Sequence, residues 1–289
     1  MLDNFILQHK LPASFAETAT QWFIPVTKEL SSNLSQKKPF FIGINGCQGS
    51  GKSTLADFIA QYFTEHFAVN VAVISLDDFY LTSQRRQSLA KDIHPLLSTR
   101  GVPGTHDLDL LNDVLNKLAN NQKTKLPRFN KATDNPHRDE LWPEVEAVDV
   151  VIMEGWCWGV APQNSTELDL PCNDLERNED AQGKWRHYVN QQLQHYLAFY
   201  QQMDTWLMLK APSFDCVHQW RWQQEQKLME SQGKTQNTKI MSQSDVARFI
   251  QYFQRLTCHG LNSLPATCDF VFELSHNRTI SALRNKHVQ

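Results

Sequence analysis

A glycine-rich stretch that ends in Lys-Ser carries the strongest chemical signal in the sequence. Residues 46–53 match the pattern G-x-x-x-x-G-K-[ST]. The glycines let backbone N–H groups converge on phosphate oxygens, Lys52 bridges the β- and γ-phosphates, and the Ser53 hydroxyl is a ligand of Mg²⁺. We therefore predict that a nucleoside triphosphate with Mg²⁺ binds here. The expected contacts are Gly46, Cys47, Gln48, Gly49, Ser50, Gly51, Lys52, Ser53 and Thr54.

Acidic residues follow two further apolar runs. Asp77 and Asp78 come directly after a run that ends in Leu76, and Glu154 follows the run 150–153. In a doubly wound sheet the carboxyl ends of the strands line the ligand crevice, so these acids should face the triphosphate. Glu154 fits an acid that holds Mg²⁺ directly or through water. Successive side chains of an extended chain point in opposite directions. We therefore assign Asp77 as the base that accepts a hydroxyl proton, and Asp78 to the metal or the substrate.

Apolar runs alternate with segments of helical spacing along most of the sequence. Strands are predicted over residues 39–44, 69–76, 145–153, 205–209 and 270–274. Helices are predicted from Lys52 onward and over 107–118, 185–200, 214–232 and 243–257, the last with Ser242 as N-cap. This alternation predicts an α/β fold, a P-loop NTPase-type parallel sheet flanked by helices.

The sequence divides into an N-terminal extension and one larger domain. Residues 1–37 have loose helical spacing and predict a helical extension, while residues 38–289 hold all of the motifs. Within the larger domain, residues 162–184 are polar and rich in Asn, Asp and Glu. We predict an insertion or a long loop there rather than a domain boundary.

The composition excludes several classes of protein. There are 28 Lys and Arg residues against 31 Asp and Glu residues, a net charge of −3, which argues against nucleic acid as a partner. No run approaches the roughly 18 apolar residues of a membrane helix, so no membrane partner is expected. The first residues lack the pattern of a secretion signal. We therefore expect a cytoplasmic protein whose partner is a small molecule; the sequence does not indicate an oligomeric state.

Seven short segments occur in the order seen in plant-type D-glycerate 3-kinases. They are SLDDFYLT (75–82), RGVPGTHDL (100–108), PRFNK (127–131), WPEVE (142–146), EGW (154–156), WRW (220–222) and ELSHNRTI (273–280). The sequence resembles that family over roughly residues 38–285. The family belongs to the P-loop kinases that include uridine kinase, pantothenate kinase and phosphoribulokinase.

The resemblance implies ATP-dependent phosphorylation of a primary hydroxyl, with Asp77 at the position of the base. If the acceptor is D-glycerate, the product is 3-phosphoglycerate. The resemblance also implies a helical lid that carries Arg221 and an adenine site at Asn277 and Arg278. The substrate residues that it implies are Asp77, Tyr80, Arg100, His106, Asp107, Arg128, Asn130 and Lys131. Basic residues there suit a hydroxy acid, because arginine binds a carboxylate in a bidentate manner.

One segment departs from the family, and it leaves the acceptor open. After PRFNK the plant enzymes carry Gly-Arg-Gly-Asp-Arg, whereas residues 135–140 read Asn-Pro-His-Arg-Asp-Glu. A related kinase that acts on a nucleoside, a pantothenate-like alcohol or a sugar phosphate is the main alternative. A nucleotide-dependent switch is the other, and it is weakened because the string at residues 130–133 lacks the Asp with which such switches read guanine.

Overall fold

The computed structural model describes residues 1–34, 37–232 and 241–287, and it places a six-stranded sheet at their centre. The strands are β1 (Phe40–Gly46), β2 (Val71–Ser75), β3 (Thr124–Lys125), β4 (Phe129–Asn130), β5 (Asn135–Pro136), β6 (Glu144–Val145), β7 (Val150–Gly155), β8 (Thr205–Lys210), β9 (Phe270–Leu274) and β10 (Ile280–Asn285). Within these ranges, β3 pairs with β6 and β4 with β5 in two small antiparallel ladders.

Helices cover both faces of the sheet. They are α1 (Leu2–Gln8), α2 (Phe15–Thr18), α3 (Ile24–Ser31), α4 (Lys52–Phe67), α5 (Ser83–Asp92), α6 (Leu108–Ala119), α7 (Asp174–Glu179), α8 (Lys184–Gln192), α9 (Leu197–Tyr200), α10 (Asp215–Gln232) and α11 (Gln243–Ser263). A π-helical turn (Ala19–Phe23) joins α2 to α3. Short 3-10 helices lie at Leu76–Phe79, Pro95–Ser98, Asp139–Leu141, Ser165–Leu168, Leu193–Tyr196 and Leu264–Ala266.

The strand order is β2-β7-β1-β8-β9-β10, and the first five strands are parallel. The tips of β2, β7 and β1 are therefore neighbours, with Ser75 opposite Glu154 and Glu154 opposite Ile44. The predicted α/β sheet is confirmed, but β9 is not its last strand. The chain turns back after Leu274, and β10 pairs with β9 in the antiparallel direction. The alternating pattern ISALRN gave no buried run by which to predict this strand.

Two hydrophobic cores fill the space between the sheet and its helices. Along β7, Val151 and Met153 enter one core, and Val150 and Ile152 enter the other. This alternation explains the continuous apolar run, since both faces of a parallel sheet are buried. The N-terminal helices share the second core with α4, the helix that follows the glycine-rich loop. None of the helices among the described residues is long and apolar enough to span a membrane.

Two predicted elements differ in the structure. The helix predicted over 185–200 is interrupted by a 3-10 turn at Leu193–Tyr196. The stretch 162–184 is not a plain loop, because it contains the 3-10 helix Ser165–Leu168 and α7. The N-cap predicted at Ser242 is confirmed, since its side chain accepts the N–H of Asp245 in a capping box.

Candidate active site

The glycine-rich loop joins β1 to α4. Strand β1 ends at Gly46 and α4 begins at Lys52, so Lys52 and Ser53 lie in the first turn of a 16-residue helix. A Cβ atom at Gly46 would lie only 2.5 Å from Ser50 Oγ. Gly51 has a φ of 96°, a left-handed conformation that glycine adopts at little cost, and a Cβ there would point into open space. The loop therefore leaves room for an anion at the N-terminus of α4.

Lys52, Ser53 and Glu154 meet where β1 and β7 end. The Ser53 hydroxyl donates a hydrogen bond of 2.9 Å to Glu154 Oε1, and Lys52 Nζ lies 3.7 Å from Oε2. Burial alone would lower the pKa of Lys52, but the carboxylates of Glu154 and Asp77 raise it above its ordinary value. The ammonium group therefore keeps its charge, as a phosphate ligand requires.

The residues around Glu154 fit a magnesium ion that arrives with a triphosphate. Glu154 Oε2 is buried and has no hydrogen-bond partner among the described residues. Within 1–34, 37–232 and 241–287, no group of three or more His, Cys, Asp or Glu side chains could hold a metal ion. A single carboxylate and the Ser53 hydroxyl, completed by phosphate oxygens and water, form the oxygen set that Mg²⁺ prefers in such sites. The metal would therefore be shared with the nucleotide.

Asp77 lies in the 3-10 helix that follows β2, beside this cluster. Its carboxylate accepts a hydrogen bond of 2.8 Å from the Tyr80 hydroxyl and one of 2.9 Å from Lys131 Nζ. Burial alone would raise its pKa, whereas Lys131 and Lys52 hold the pKa well below the usual range of an aspartate. Asp77 is therefore ionised at neutral pH, the form in which a carboxylate can accept a proton.

Asp78 faces a different part of the protein. Its Oδ1 accepts the backbone N–H of Phe129 at 3.0 Å, and its Oδ2 lies 3.4 Å from the guanidinium of Arg128. Burial raises the pKa of Asp78 in spite of these contacts. Because both partners lie at β4 and not on the glycine-rich loop, the geometry favours a role for Asp78 on the acceptor side over one as a metal ligand.

Tyr80, His106 and Tyr196 form a buried layer next to Asp77. The Tyr80 and His106 rings stack with their centroids 4.7 Å apart, and His106 Nδ1 lies 2.7 Å from the Tyr196 hydroxyl oxygen. Burial lowers the pKa of His106 to about 4, so its imidazole is neutral at physiological pH. Its Nε2 is buried without a hydrogen-bond partner among the described residues, which leaves one polar position for a ligand.

Backbone contacts hold the segment 100–107 against the strand tips. Tyr80 and His106 form an antiparallel bridge, and the N–H of Asp107 donates to the Phe79 carbonyl at 2.7 Å. From the other side, the Trp156 indole N–H donates to the Gly101 carbonyl at 3.0 Å. The segment that the resemblance assigned to the substrate therefore lies beside the tips of β2 and β7.

Arg100 is paired with an acid that the sequence analysis did not single out. Asp134 accepts hydrogen bonds from both Arg100 and the buried Arg86. The Arg100 guanidinium also lies 5.5 Å from the centre of the Phe129 ring. No motif marks Asp134, which directly precedes the segment 135–140 that departs from the family pattern. Its position between two arginines depends on the folded loop.

Two of the predicted substrate residues form hydrogen bonds that stabilise local structure. Asp107 is the N-cap of α6, where it accepts the N–H of Leu110 at 3.1 Å, and it also pairs with Arg85. Asn130 accepts the backbone N–H groups two and three residues later and so closes a turn. Capping and turn formation are frequent roles of Asp and Asn. If either side chain also contacts a substrate, it must do so while it keeps these hydrogen bonds or after it gives them up.

The helix expected as a lid is α10. Arg221 lies in its second turn and forms an ion pair with Glu225, one turn further along. Residues 233–240, which follow α10 in the sequence, lie outside the described residues. In this arrangement Arg221 is directed to its own helix, so the structure does not bring its guanidinium to the Lys52 and Glu154 cluster.

A cavity of about 560 Å³ opens next to the glycine-rich loop, on the side of the turn between β9 and β10. Asn277 and Arg278, which the resemblance assigned to an adenine site, line it together with loop residues 49–54. Arg278 has a φ of 68° and donates to Gln223 Oε1 at 2.6 Å. Residues of the N-terminal extension also line it, namely Leu11, Pro12, Ser14, Phe15, Thr18 and Phe23. Their spacing predicted helix only and gave no sign of a binding role.

Comparison with known proteins places this site in a family. The sequence model of the phosphoribulokinase/uridine kinase family matches residues 41–170. An uncharacterized kinase of Schizosaccharomyces pombe is 34% identical over 227 residues, which cover 75% of this chain and 79% of that protein. The chloroplastic D-glycerate 3-kinase of Arabidopsis thaliana is 35% identical over 199 residues, 65% of this chain but 41% of the plant protein.

A solved structure shows the same fold over almost the whole chain. The D-glycerate 3-kinase of Cryptococcus neoformans superposes with a TM-score of 0.76 at 26% sequence identity, covering 91% of this chain and 98% of that protein. The two proteins therefore share one fold over most of their length.

Proposed function

Since the chain belongs to the phosphoribulokinase/uridine kinase family, we propose that it transfers the γ-phosphate of ATP to the primary hydroxyl of a small carboxylate, most specifically D-glycerate, to give 3-phosphoglycerate. Family membership supports a phosphotransferase. The observation that carries the proposal is the convergence of Lys52, Glu154 and Asp77 at the ends of three neighbouring parallel strands. In the proposal, Lys52 is the cation that binds phosphate, Glu154 is the acid that holds the metal and Asp77 is the base that accepts the hydroxyl proton.

The residues divide the work of an in-line transfer. The N-terminus of α4 and Lys52 hold the triphosphate, and Lys52 faces the charge that develops on the transferring group. The acceptor oxygen attacks the γ-phosphorus while the bond to the β–γ bridging oxygen breaks. The hydroxyl proton passes to Asp77, and ADP leaves with the bond electrons. Ser53 and Glu154 would hold Mg²⁺ together with the phosphates, and the metal would neutralise part of the phosphate charge.

Arg221 would take part only after a change of partner. Its guanidinium now pairs with Glu225, so a role on the phosphoryl group requires it to exchange that carboxylate for a phosphate. Such an exchange is chemically reasonable, because guanidinium binds both groups in a bidentate manner. In the proposal, α10 moves toward the nucleotide and excludes water from the transfer.

Cations around Asp77 favour an acceptor with a negative charge. Lys131 contacts Asp77 itself, Arg128 contacts Asp78, and Arg100 lies against the Phe129 ring in the adjacent ladder. A glycerate carboxylate could bind these groups while its primary hydroxyl faces Asp77. Pantothenate and sugar phosphates are also anionic, whereas uridine is neutral. The charge pattern therefore supports a hydroxy acid and keeps the two anionic alternatives as competitors.

A screen of acceptors tests the proposal. ADP release is measured in a coupled assay with ATP and Mg²⁺ and, in turn, D-glycerate, L-glycerate, pantothenate, ribulose 5-phosphate and uridine. We expect D-glycerate to give the highest kcat/KM and negligible turnover without an acceptor. A higher value for another acceptor would replace glycerate in the proposal, and steady turnover without any acceptor would favour a nucleotide switch. We also propose that the protein acts in the cytoplasm, which localisation of the tagged full chain would test.

A further inference from the structure

The N-terminal extension forms one wall of the cavity beside the glycine-rich loop. Leu11, Ser14 and Phe15 line this cavity together with Asn277 and Arg278. Its volume of about 560 Å³ lies within the usual range of ligand pockets, roughly 300–1,000 Å³. The extension is therefore part of the pocket surface and not only a support for α4.

Aromatic packing fixes this wall to the helix that carries Lys52. The Phe15 ring lies 5.6 Å from Phe5, 5.9 Å from Phe23 and 6.1 Å from Phe58, measured between centroids. Phe58 belongs to α4, so the wall and the phosphate-binding turn are joined through one core. A ligand that spans both therefore meets groups whose relative positions are set by packing.

The lining of the cavity combines two kinds of side chain. Leu11 and Phe15 are apolar, whereas Asn277, Arg278 and Thr279 carry polar groups. A flat heteroaromatic ring suits such a slot, because its face packs on apolar side chains and its edge forms hydrogen bonds. The cavity also continues from loop residues 49–54, where the triphosphate is expected.

We propose that the N-terminal segment from Leu11 to Thr18 binds the nucleotide base, with Leu11 and Phe15 against one face of the ring. This inference rests on the proposed function only in taking a nucleoside triphosphate to bind at Lys52. It assigns to the extension a part in the affinity for the nucleoside, separate from the phosphate contacts made by the loop.

Calorimetry with two probes tests the assignment. ADP carries the base, and inorganic triphosphate carries phosphates alone. We expect Leu11→Ala to weaken ADP binding roughly tenfold, the effect of losing one apolar side chain from a binding site, with no change for triphosphate. The matched control is Leu7→Ala. Leu7 belongs to the same extension but is 80% exposed and does not line the cavity, so both affinities should stay at the wild-type value.

A second variant, Ser14→Trp, tests the same contact in case Leu11→Ala does not fold. Ser14 is exposed and lines the cavity, so Ser14→Trp should obstruct the base without disturbing the core, whereas Ala13→Trp, one residue away and outside the lining, should not. Weaker ADP binding by Ser14→Trp but not by Ala13→Trp supports the proposal that the N-terminal segment binds the base. Equal ADP affinities in Ser14→Trp, Leu11→Ala and the controls would overturn it.

Failure of this inference can be told apart from failure of the proposed function. If none of the four substitutions changes the affinity for ADP while the wild-type protein phosphorylates an acceptor, the proposed base contact of the N-terminal segment is wrong and the kinase proposal stands. If ADP binding depends on Leu11 but no acceptor is phosphorylated, the proposed base contact is supported and the proposed reaction is wrong.

Discussion

The nucleotide end of the site and its acceptor end are built in different ways. At the nucleotide end, Lys52 and Ser53 converge on Glu154, which still has one buried oxygen without a hydrogen-bond partner among the described residues. At the acceptor end, each cation is matched with an acid of the protein. The pairs are Lys131 with Asp77, Arg128 with Asp78, and Arg100 with Asp134.

This difference indicates how each substrate must bind. A triphosphate with its metal can enter a site whose charges already face it. In the proposed reaction an acceptor displaces an ion-pair partner, because Lys131 contacts the Asp77 carboxylate that is proposed to receive the hydroxyl proton. An anionic acceptor offers Lys131 a replacement carboxylate and so frees Asp77. A neutral acceptor offers none, which gives the acceptor end a means of selection.

Substitution of Asp77 should have the largest effect on this comparison. Asp77→Asn keeps the shape of the side chain but cannot accept the proton, so we expect kcat to fall about 10³-fold while ATP affinity is retained. Rapid-quench measurement of phosphotransfer and calorimetry with ATP would report the two quantities separately.

Asp78→Asn is the matched control for Asp77→Asn. Asp78 binds Arg128 and the Phe129 N–H at the proposed acceptor end. Asp78→Asn should therefore raise the acceptor KM several-fold and change kcat little. If instead Asp78→Asn lost kcat and Asp77→Asn did not, the assignment of the base would be reversed.

At the nucleotide end, Ser53→Ala removes one proposed oxygen ligand of Mg²⁺ from a preorganised site, so kcat should fall about 10²-fold. The loss should be accompanied by a higher Mg²⁺ requirement, measured by titrating Mg²⁺ at fixed ATP. Ser53→Thr keeps the hydroxyl and fits the sequence pattern, so it should remain active. Equal Mg²⁺ dependence in Ser53→Ala and the wild type would remove Ser53 from the metal site.

Substitution of Lys131 should have a smaller effect on activity than substitution of Asp77 or Ser53, and it should change both the pH profile of kcat/KM and the acceptor KM. Lys131 lowers the pKa of Asp77, so Lys131→Met should raise that pKa. The ionised Asp77 is the active form, and the acid limb of kcat/KM should therefore move to higher pH, by about one unit. The acceptor KM should also rise, by about tenfold, if Lys131 binds the acceptor carboxylate.

Lys117→Met is the control for the pH effect. Lys117 pairs with Asp113 on the exposed face of α6, so its loss removes one positive charge without touching Asp77. Its pH profile should match that of the wild type. A shift of the same size in both variants would point to net charge and not to the contact with Asp77.

Sequence patterns predicted the fold where burial was continuous. The runs that became β1, β7, β8 and β9 are apolar because helices cover both faces of the sheet. Strand β2 lies at one edge of the sheet but was still predicted, because its residues up to Ile74 are apolar and no residue of the strand is exposed. Strand β10, at the other edge, escaped prediction because half of its positions are exposed and its sequence contains no apolar run. The stretch 162–184 looked like a loop because its short helices are stabilised by contacts with α11 and α8 and not by an apolar stripe of their own.

Within the site, the sequence was most informative where chemistry is local. The glycine-rich loop contains its own phosphate ligands within eight residues, and Glu154 stands at a strand end, so their proximity could be predicted. Asp134 and Leu11 gave no signal, because each acquires its role from residues far away in the chain, Arg86 in one case and Arg278 in the other. Contacts between distant loops depend on tertiary packing, which periodicity does not report.

A last prediction contrasts the acceptor ion pairs with one that is structural. Glu176 of α7 is fully buried and accepts hydrogen bonds of 2.7 and 2.6 Å from Arg255 of α11. Removing one partner leaves a buried charge uncompensated, so Glu176→Gln should lower the free energy of unfolding by about 3 kcal/mol. Urea denaturation would measure this loss. Turnover per folded molecule should stay at the wild-type value, because the pair serves to hold residues 162–184 against α11.

Glu179→Gln supplies the matched comparison on the same helix. Glu179 pairs with Arg248, also of α11, but both side chains are largely exposed, at 41% and 53%. Water and ions screen such a pair, so its loss should cost at most about 1 kcal/mol. Equal losses of unfolding free energy in the two variants would mean that burial does not make the Glu176–Arg255 pair more stabilising than the exposed Glu179–Arg248 pair. A fall in turnover for folded Glu176→Gln would mean that residues 162–184 act on the reaction itself, and the division between structural and acceptor-binding ion pairs would have to be redrawn.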